Sequence, residues 1–352
     1  MLGISVYFRD YDEQYLKEAA KAGAKYVFTS LQIPEEDYSK LDQKLPEFFK
    51  LCNDLKLEVI PDVSPVTLER LDIPKNDFKA LKEKGFKALR LDYGLDDFKL
   101  VKRLQEDFNI LLNASVVTPK YIETAKEANV DLNKLALTYN FYPHTDTGMG
   151  WDDFKRRNWL FKDLDLRTQA FVPGDEIKRF PLYEGLPTVE KNRGELPYVA
   201  AVELIQEANI DDIFIGDSRA SIKQLRYIHD FQQNGVMNIE CHLLKKYQTL
   251  YDQKFEIRKD IPEKIVRLTC PRTPGIAIEH ALNRRKGSIV MQNKLAQRYS
   301  GEIDIVKQDL PFEARSNVIG WVTPEYVNLL NYIDDQTKII FRKIDWEMII
   351  NV

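Results

Sequence analysis

The stretch KALRLDYGLDDFKLVKRLQEDFNILLNASV, residues 87–116, decides the fold. Two short apolar runs, KALRLDY (87–93) and NILLNASV (109–116), flank DDFKLVKRLQEDF, whose apolar residues recur at three- and four-residue spacing. That spacing marks an amphipathic helix between two strands. Strands joined by a helix run parallel.

The unit repeats in both directions. Upstream stand LGISVYF (2–8), YVFTSL (26–31) and LEVIPDV (57–63); downstream stand KLALTYNFY (134–142), LRTQAFV (166–172) and DDIFIGD (211–217). Helical patterns such as DEQYLKEAAKAG and TPKYIETAKEANV lie between the runs. Eight strand–helix units in about 235 residues match a (β/α)8 TIM barrel, usually about 250 residues long. An open doubly wound sheet is the alternative. It loses ground because no strand is followed by G-x-G-x-x-G.

After SIKQLRYIHDFQQNG (221–235) the pattern changes. NIECHLL, FEIRKD, KIVRLTC, GSIVMQN, GEIDIVKQDL, SNVIGWVTP and KIIFRKI are short alternating runs between Gly, Pro and Asn. Only PEYVNLLNYI (324–333) reads as a clear helix. The expected organisation is an α/β barrel over 1–236 and a small, mainly antiparallel β domain over 237–352.

Composition narrows the partners. The 352 residues are 44% apolar and 30% charged with formal net charge -4, so no nucleic-acid footprint is expected. No uncharged apolar run approaches the ~20 residues that span a bilayer. MLGISVYFRDYDEQ lacks the basic start and small-residue cleavage site of a signal peptide. Cys52, Cys241 and Cys270 are odd in number and widely spaced, so a reduced, cytoplasmic protein is expected.

The C-terminal ends of the barrel strands carry polar residues two apart, where parallel strands normally stay apolar. They are Ser5, Tyr7 and Arg9; Ser30 and Gln32; Asp62 and Ser64; Arg90 and Asp92; Asn113 and Ser115; Asn140 and Tyr142; and Asp217. In this fold, sites form at that face. For any one strand, a structural ion pair or a helix cap explains such residues as well. Polar ends on seven of eight strands favour a ligand site, because unpaired buried charge is costly.

Two long loops add to the rim. YNFYPHTDTGMG (139–150) offers Asn140, Tyr142, His144, Thr145 and Thr147; VPGDEIKRFPLYEGLPTVEKNRGELP (172–197) offers Arg179, Glu190 and Arg193. Asp62, Asp92, Glu190 and Asp217 could surround one small ligand, and paired carboxylates are the equipment of glycoside hydrolysis. Asp62 and Asp92 are expected side by side, repelling, as an acid/base set with Glu190. Arg9, Arg90, Arg179 and Arg193 suit an anionic substrate. VPGD and IGDS, with Ser218 and Ser221, offer N–H and hydroxyl donors for phosphate. The four histidines are dispersed and no zinc pattern appears, so neither metal nor cofactor is expected. An oxygen-only Mg²⁺ site on Asp62, Asp92 and Asp217 stays open, with a sugar-phosphate lyase or isomerase as the competing activity. A binding protein presenting its β domain to peptides is the third reading.

These stretches resemble one family. SVYF, FTSL, VIPDVSP, LRLDYG, NAS, NFYP, Thr147–Gly148, AFVPGD, PLYEGLPTVE with Arg193, and IGD with Ser221 are similar to the bacterial 6-phospho-N-acetylmuramidases; QN (292–293), RYSGEI and NVIGWV extend the likeness. The resemblance implies a TIM barrel followed by a cyclophilin-like domain. It also implies cytoplasmic cleavage of N-acetylmuramic acid 6-phosphate from N-acetylglucosamine during cell-wall recycling. The partner would be a phosphorylated disaccharide. The family pattern has His where this chain has Tyr139, Arg at His144, Gly at Phe180 and His at Asn192. Those four positions are expected at the substrate rim. The small domain is expected either to make a homodimer or to lean over a barrel mouth.

Overall fold

The computed structural model describes residues 1–30, 33, 41–71, 73–74, 77–92, 95 and 97–344. Two compact units form, Met1–His229 and Asp230–Val352.

The first unit is a closed barrel of eight parallel strands in sequential order. They are β1 (Leu2–Ser5), β2 (Ala24–Ser30), β3 (Glu58–Val63), β4 (Ala88–Leu91), β5 (Asn109–Asn113), β6 (Leu135–Thr138), β7 (Arg167–Val172) and β8 (Asp212–Ile215). β1 closes the ring by pairing with both β2 and β8. Helices follow the strands, among them Glu13–Lys21, Phe98–Leu104, Pro119–Glu127 and Pro197–Ala208. Asp12, Asp97 and Thr118 cap three of these through side-chain oxygens that accept backbone N–H groups.

The barrel is filled by Phe28, Ile60, Ala88, Leu111, Phe171 and Phe214, with Ala136 and Phe141 packed on them. Gly3 completes the layer. A Cβ there would lie 2.4 Å from the Phe214 ring, so only glycine fits. Side chains alternate along a strand, so the residue two places after each core residue also points inward. Phe28 is thus followed by Ser30, Ile60 by Asp62, Ala88 by Arg90, Leu111 by Asn113 and Ala136 by Thr138. The polar rim rides directly on the apolar layer.

The strands stop earlier than their apolar runs. β1 ends at Ser5, not at Phe8, and Arg9 lies in a 3-10 turn, Phe8–Asp10. β8 ends at Ile215, leaving Asp217 in the loop beyond it. Gln32 and Tyr93 lie outside the described residues.

The second unit is a seven-stranded closed barrel: β9 (Val236–Leu243), β10 (Lys254–Ile257), β11 (Ile265–Thr269), β12 (Ser288–Gln292), β13 (Ile303–Val306), β14 (Ser316–Val322) and β15 (Lys338–Lys343). The strand order is β10-β11-β13-β12-β14-β9-β15. It departs from the antiparallel expectation in one place, because β9 and β15 pair in parallel. PEYVNLLNYI forms a 3-10 segment, Pro324–Asn331, rather than an α-helix. Among the described residues no helix is long and apolar enough to cross a membrane.

Candidate active site

The C-terminal rim begins with the strand register. Ser30 stands level with Asp62 and Asp62 with Arg90. Asp62 and Asp92 are therefore not opposed, as the sequence had led one to expect. The neighbour of Asp62 is a cation, because β4 is offset by two residues. Arg90 Nη1 donates to Asp62 Oδ1 at 2.6 Å, and Nη2 donates to Asn140 Oδ1 at 2.5 Å. Arg90 is buried, and its Nε–H finds no partner. Asp92 follows β4, half-buried, with its backbone N–H on Val63 O at 2.9 Å.

Asn140 is also held from behind. Its N–H donates to Ser115 Oγ at 2.9 Å, while Ser115 N–H donates to Asn113 Oδ1 at 3.0 Å. The polar ends of β5 and β6 thus brace one another and aim Asn140 at Arg90. Thr188, which sequence reasoning missed, ties the loop after β7 to this point. Its hydroxyl donates to Asn140 O at 2.9 Å and accepts Phe171 N–H at 2.9 Å. A lone buried threonine carries no signal of that in sequence.

Glu190 and Arg193 join the two long loops. Arg193 donates from Nε and Nη2 to the two Glu190 oxygens at 2.7 Å each. Its remaining donors reach Tyr142 O, Gly185 O and His144 O at 2.8–3.0 Å. All five guanidinium donors are engaged inside the protein. Glu190 also accepts the N–H groups of Asp146 at 3.0 Å and Gly148 at 2.8 Å. The Arg193 hydrogen bonds, helped by those N–H groups, hold the Glu190 carboxyl down at about 2. Such a carboxylate keeps no proton to give at neutral pH. Of the three expected acid/base carboxylates, it suits the role least.

The loop after β7 is organised by Asp217. Its buried carboxylate accepts Gly174 N–H at 2.8 Å, Arg179 N–H at 2.9 Å and Leu186 N–H at 3.3 Å. Asp175 likewise takes the N–H and hydroxyl of Ser221, and Ser218 donates to Asp10 at 2.7 Å. The N–H and hydroxyl donors expected to cradle phosphate are therefore largely engaged with carboxylates.

What remains open to an anion is Arg179. Its guanidinium carbon sits 5.1 Å from the Tyr7 ring centre, 5.5 Å from Phe180 and 5.8 Å from Phe141. The residue is 8% exposed, its Nε–H has no partner, and no carboxylate of the described residues lies within salt-bridge reach. Arg9, exposed, stacks on the same Phe180 ring at 4.8 Å. The aromatic walls of this cage had no signal in the sequence beyond the RF pair at 179–180. His144 and Thr147 are exposed on the loop tip, with Thr147 Oγ1 donating to His144 O. Tyr142 is half-buried beside them.

The four positions expected at the rim divide. Tyr139 is fully buried against Phe154, with ring centres 4.7 Å apart. Asn192 is buried and donates to Glu195 and Glu203. Both belong to the interior. Phe180 underlies the arginine cage, and His144 stands at the loop tip. No group of three or more His, Cys, Asp or Glu among the described residues is placed to hold a metal ion.

The model for the N-terminal part of the 6-phospho-N-acetylmuramidases matches residues 2–230, and the C-terminal model matches 236–342. The chain belongs to the 6-phospho-N-acetylmuramidase family. It is by that membership a glycosidase-family protein. No curated protein matches it. It is similar to the crystal structure of a conserved protein of unknown function from Enterococcus faecalis, with 27% identity, TM-score 0.85, and 98% of this chain and 97% of that one covered. It is also similar to an uncharacterized B. cereus protein, with 26% identity, TM-score 0.78, and 98% and 99% covered.

Proposed function

We propose that the barrel rim hydrolyses a 6-phosphorylated amino-sugar disaccharide, releasing N-acetylmuramic acid 6-phosphate from N-acetylglucosamine in cytoplasmic cell-wall (peptidoglycan) recycling. In this reading the second unit is cyclophilin-like. The observation that carries the proposal is the Arg179 guanidinium, buried in an aromatic cage with no acidic partner among the described residues. A cation so placed calls for an anion from the ligand. The phosphate supplies it, and exposed Arg9 closes from the solvent side.

Asp62 and Asp92 are the acid/base pair. Asp62, ion-paired with Arg90, serves as the anionic member that activates water or meets the positive charge developing at the anomeric carbon. Asp92 protonates the leaving oxygen. Asn140 and Tyr142 hold the sugar by hydrogen bond and ring face, with Ser30 and Asn113 at the same level. Glu190, Arg193 and Asp217 keep the loops in place.

Incubation of the protein with synthetic N-acetylmuramic acid 6-phosphate–N-acetylglucosamine, followed by mass spectrometry in H₂¹⁸O, tests this. The expected products are the two monosaccharides, with one ¹⁸O on the muramic acid 6-phosphate. Intact disaccharide, or an eliminated product lacking ¹⁸O, would remove the hydrolytic reading.

A further inference from the structure

Asn113 ends β5, and Asn140 lies two residues past the end of β6. Both continue the period that carries Leu111 and Ala136 into the barrel. Ser115 joins them. Its N–H donates to Asn113 Oδ1 at 3.0 Å, and its hydroxyl accepts Asn140 N–H at 2.9 Å.

Both amides are locked the same way round. The atom of Asn113 that faces a backbone N–H must be oxygen, and so must the atom of Asn140 that faces Arg90 Nη2 at 2.5 Å, because neither partner can accept. Each side chain therefore turns its NH₂ group away from that partner. The remaining polar atoms are engaged. Asn140 O accepts the Thr188 hydroxyl at 2.9 Å, and Asn113 O accepts the N–H groups of Val116 and Val117 at 3.2 and 3.1 Å. Neither NH₂ group has a partner among the described residues. Asn113 is only 9% exposed, yet its Nδ2, like that of Asn140, keeps accessible surface at the rim. Two fixed donors left so call for an acceptor from the ligand.

Charge decides which acceptor. Arg90, behind Asn140, is paired with Asp62 at 2.6 Å, so this part of the rim offers donors without a spare cation. A ligand carboxylate would meet the Asp62 charge there. A ligand hydroxyl would bring a proton of its own, while the side-chain oxygens of both asparagines are already taken. A neutral carbonyl oxygen has two lone pairs for the two donors and brings no proton.

We propose that Asn113 and Asn140 read the N-acyl group of the substrate. Their two NH₂ groups converge on its carbonyl oxygen, so the rim selects a 2-acetamido sugar over its free-amine form. The inference rests on the proposed reading of the rim as a phosphosugar site and names the side chains that demand N-acylation. A free amine is a donor and, as an ammonium, a cation; it leaves both NH₂ groups unpaired.

Calorimetric titration of the full chain with N-acetylmuramic acid 6-phosphate and with muramic acid 6-phosphate, its free-amine form, tests the proposal. The phosphate is common to both ligands. The parent should bind the N-acetyl form at least about tenfold more tightly, the scale of two hydrogen bonds. Asn113→Ala and Asn140→Ala should each cut that preference at least about threefold. Asn113→Asp keeps the oxygen that faces Ser115 N–H but replaces the donor by a carboxylate oxygen, so its preference should reverse toward the free amine. A purely structural role would not reverse the preference. Equal affinity for the two ligands in the parent, or no binding of either, overturns the proposal without any variant. A preference unchanged in both folded alanine variants, or retained in folded Asn113→Asp, overturns it as well. A protein that leaves the disaccharide intact but shows this preference loses the hydrolytic reading and keeps the donor pair; one that cleaves the disaccharide but binds the two ligands alike keeps the hydrolytic reading and loses the donor pair.

Discussion

Asp217 accepts the backbone N–H of Arg179 at 2.9 Å, while no carboxylate of the described residues lies within salt-bridge reach of the guanidinium of the same residue and its Nε–H has no partner. The acid therefore fixes where the arginine stands without neutralising it. Asp217→Ala leaves three buried N–H groups without an acceptor, at about 1–3 kcal/mol each. Urea unfolding should show a loss of at least roughly 3 kcal/mol. Asp217→Asn should fold more readily, yet show a raised KM for phosphorylated substrate with kcat less affected.

Glu190 should behave as a clamp. Its folded value, about 2, lies below the ordinary carboxylate value, so its contribution to stability is present in full above that ordinary value. The contribution falls away progressively as pH drops from that ordinary value through about 2. Loop closure should then be constant from about pH 5 to 8, and the acid limb of the pH–rate profile should survive in Glu190→Gln. A lost general acid or base costs about 10²–10⁴-fold. Glu190→Gln should cost less than that. A larger loss, with the acid limb abolished, would return Glu190 to the chemistry.

Gly148 gives an independent check of the same clamp. A Cβ there would lie 2.6 Å from Glu190 Oε2 and 2.8 Å from Glu190 N. Gly148→Ala should push the two loops apart and match Glu190→Gln in its kinetic effect. Full activity in Gly148→Ala would show that this contact does not hold the loops.

Asp62 and Asp92 can each be tested by an Asn substitution. Asp62→Asn strands the buried Arg90 cation, and breaking a buried pair costs roughly 3–5 kcal/mol. Asp92→Asn should lower kcat at least ~10²-fold in protein that still folds. Near-normal turnover in folded Asp92→Asn would remove it from the acid/base pair.

Much of the fold was legible because strand and helix periods differ and repeat. The apolar runs of 87–116 and their counterparts mark every barrel strand. The inward set was legible for the same reason: period two carries Phe28 to Ser30 and Ile60 to Asp62. Register was not. Whether Asp62 meets Arg90 or Asp92 depends on a two-residue offset between β3 and β4 that side-chain alternation cannot reveal, since both choices face inward. Loop chemistry was harder still. Arg193 and Arg179 look alike in sequence, yet one has every donor engaged and the other gives none to a carboxylate of the described residues. The difference lies in carbonyls of Tyr142, His144 and Gly185 that only the folded loops bring together.

The central claim is that Arg179 selects a phosphorylated sugar. The direct measurement is kcat/KM for the phosphorylated and unphosphorylated disaccharides, in the parent and in Arg179→Ala. A charge-assisted contact of about 1.5–3 kcal/mol corresponds to roughly 10–10²-fold. The parent should prefer the phosphorylated substrate by at least that factor, and Arg179→Ala should remove at least tenfold of the preference, mainly through KM. Equal kcat/KM for the two substrates in the parent, or a preference that persists intact in folded Arg179→Ala, would contradict the account.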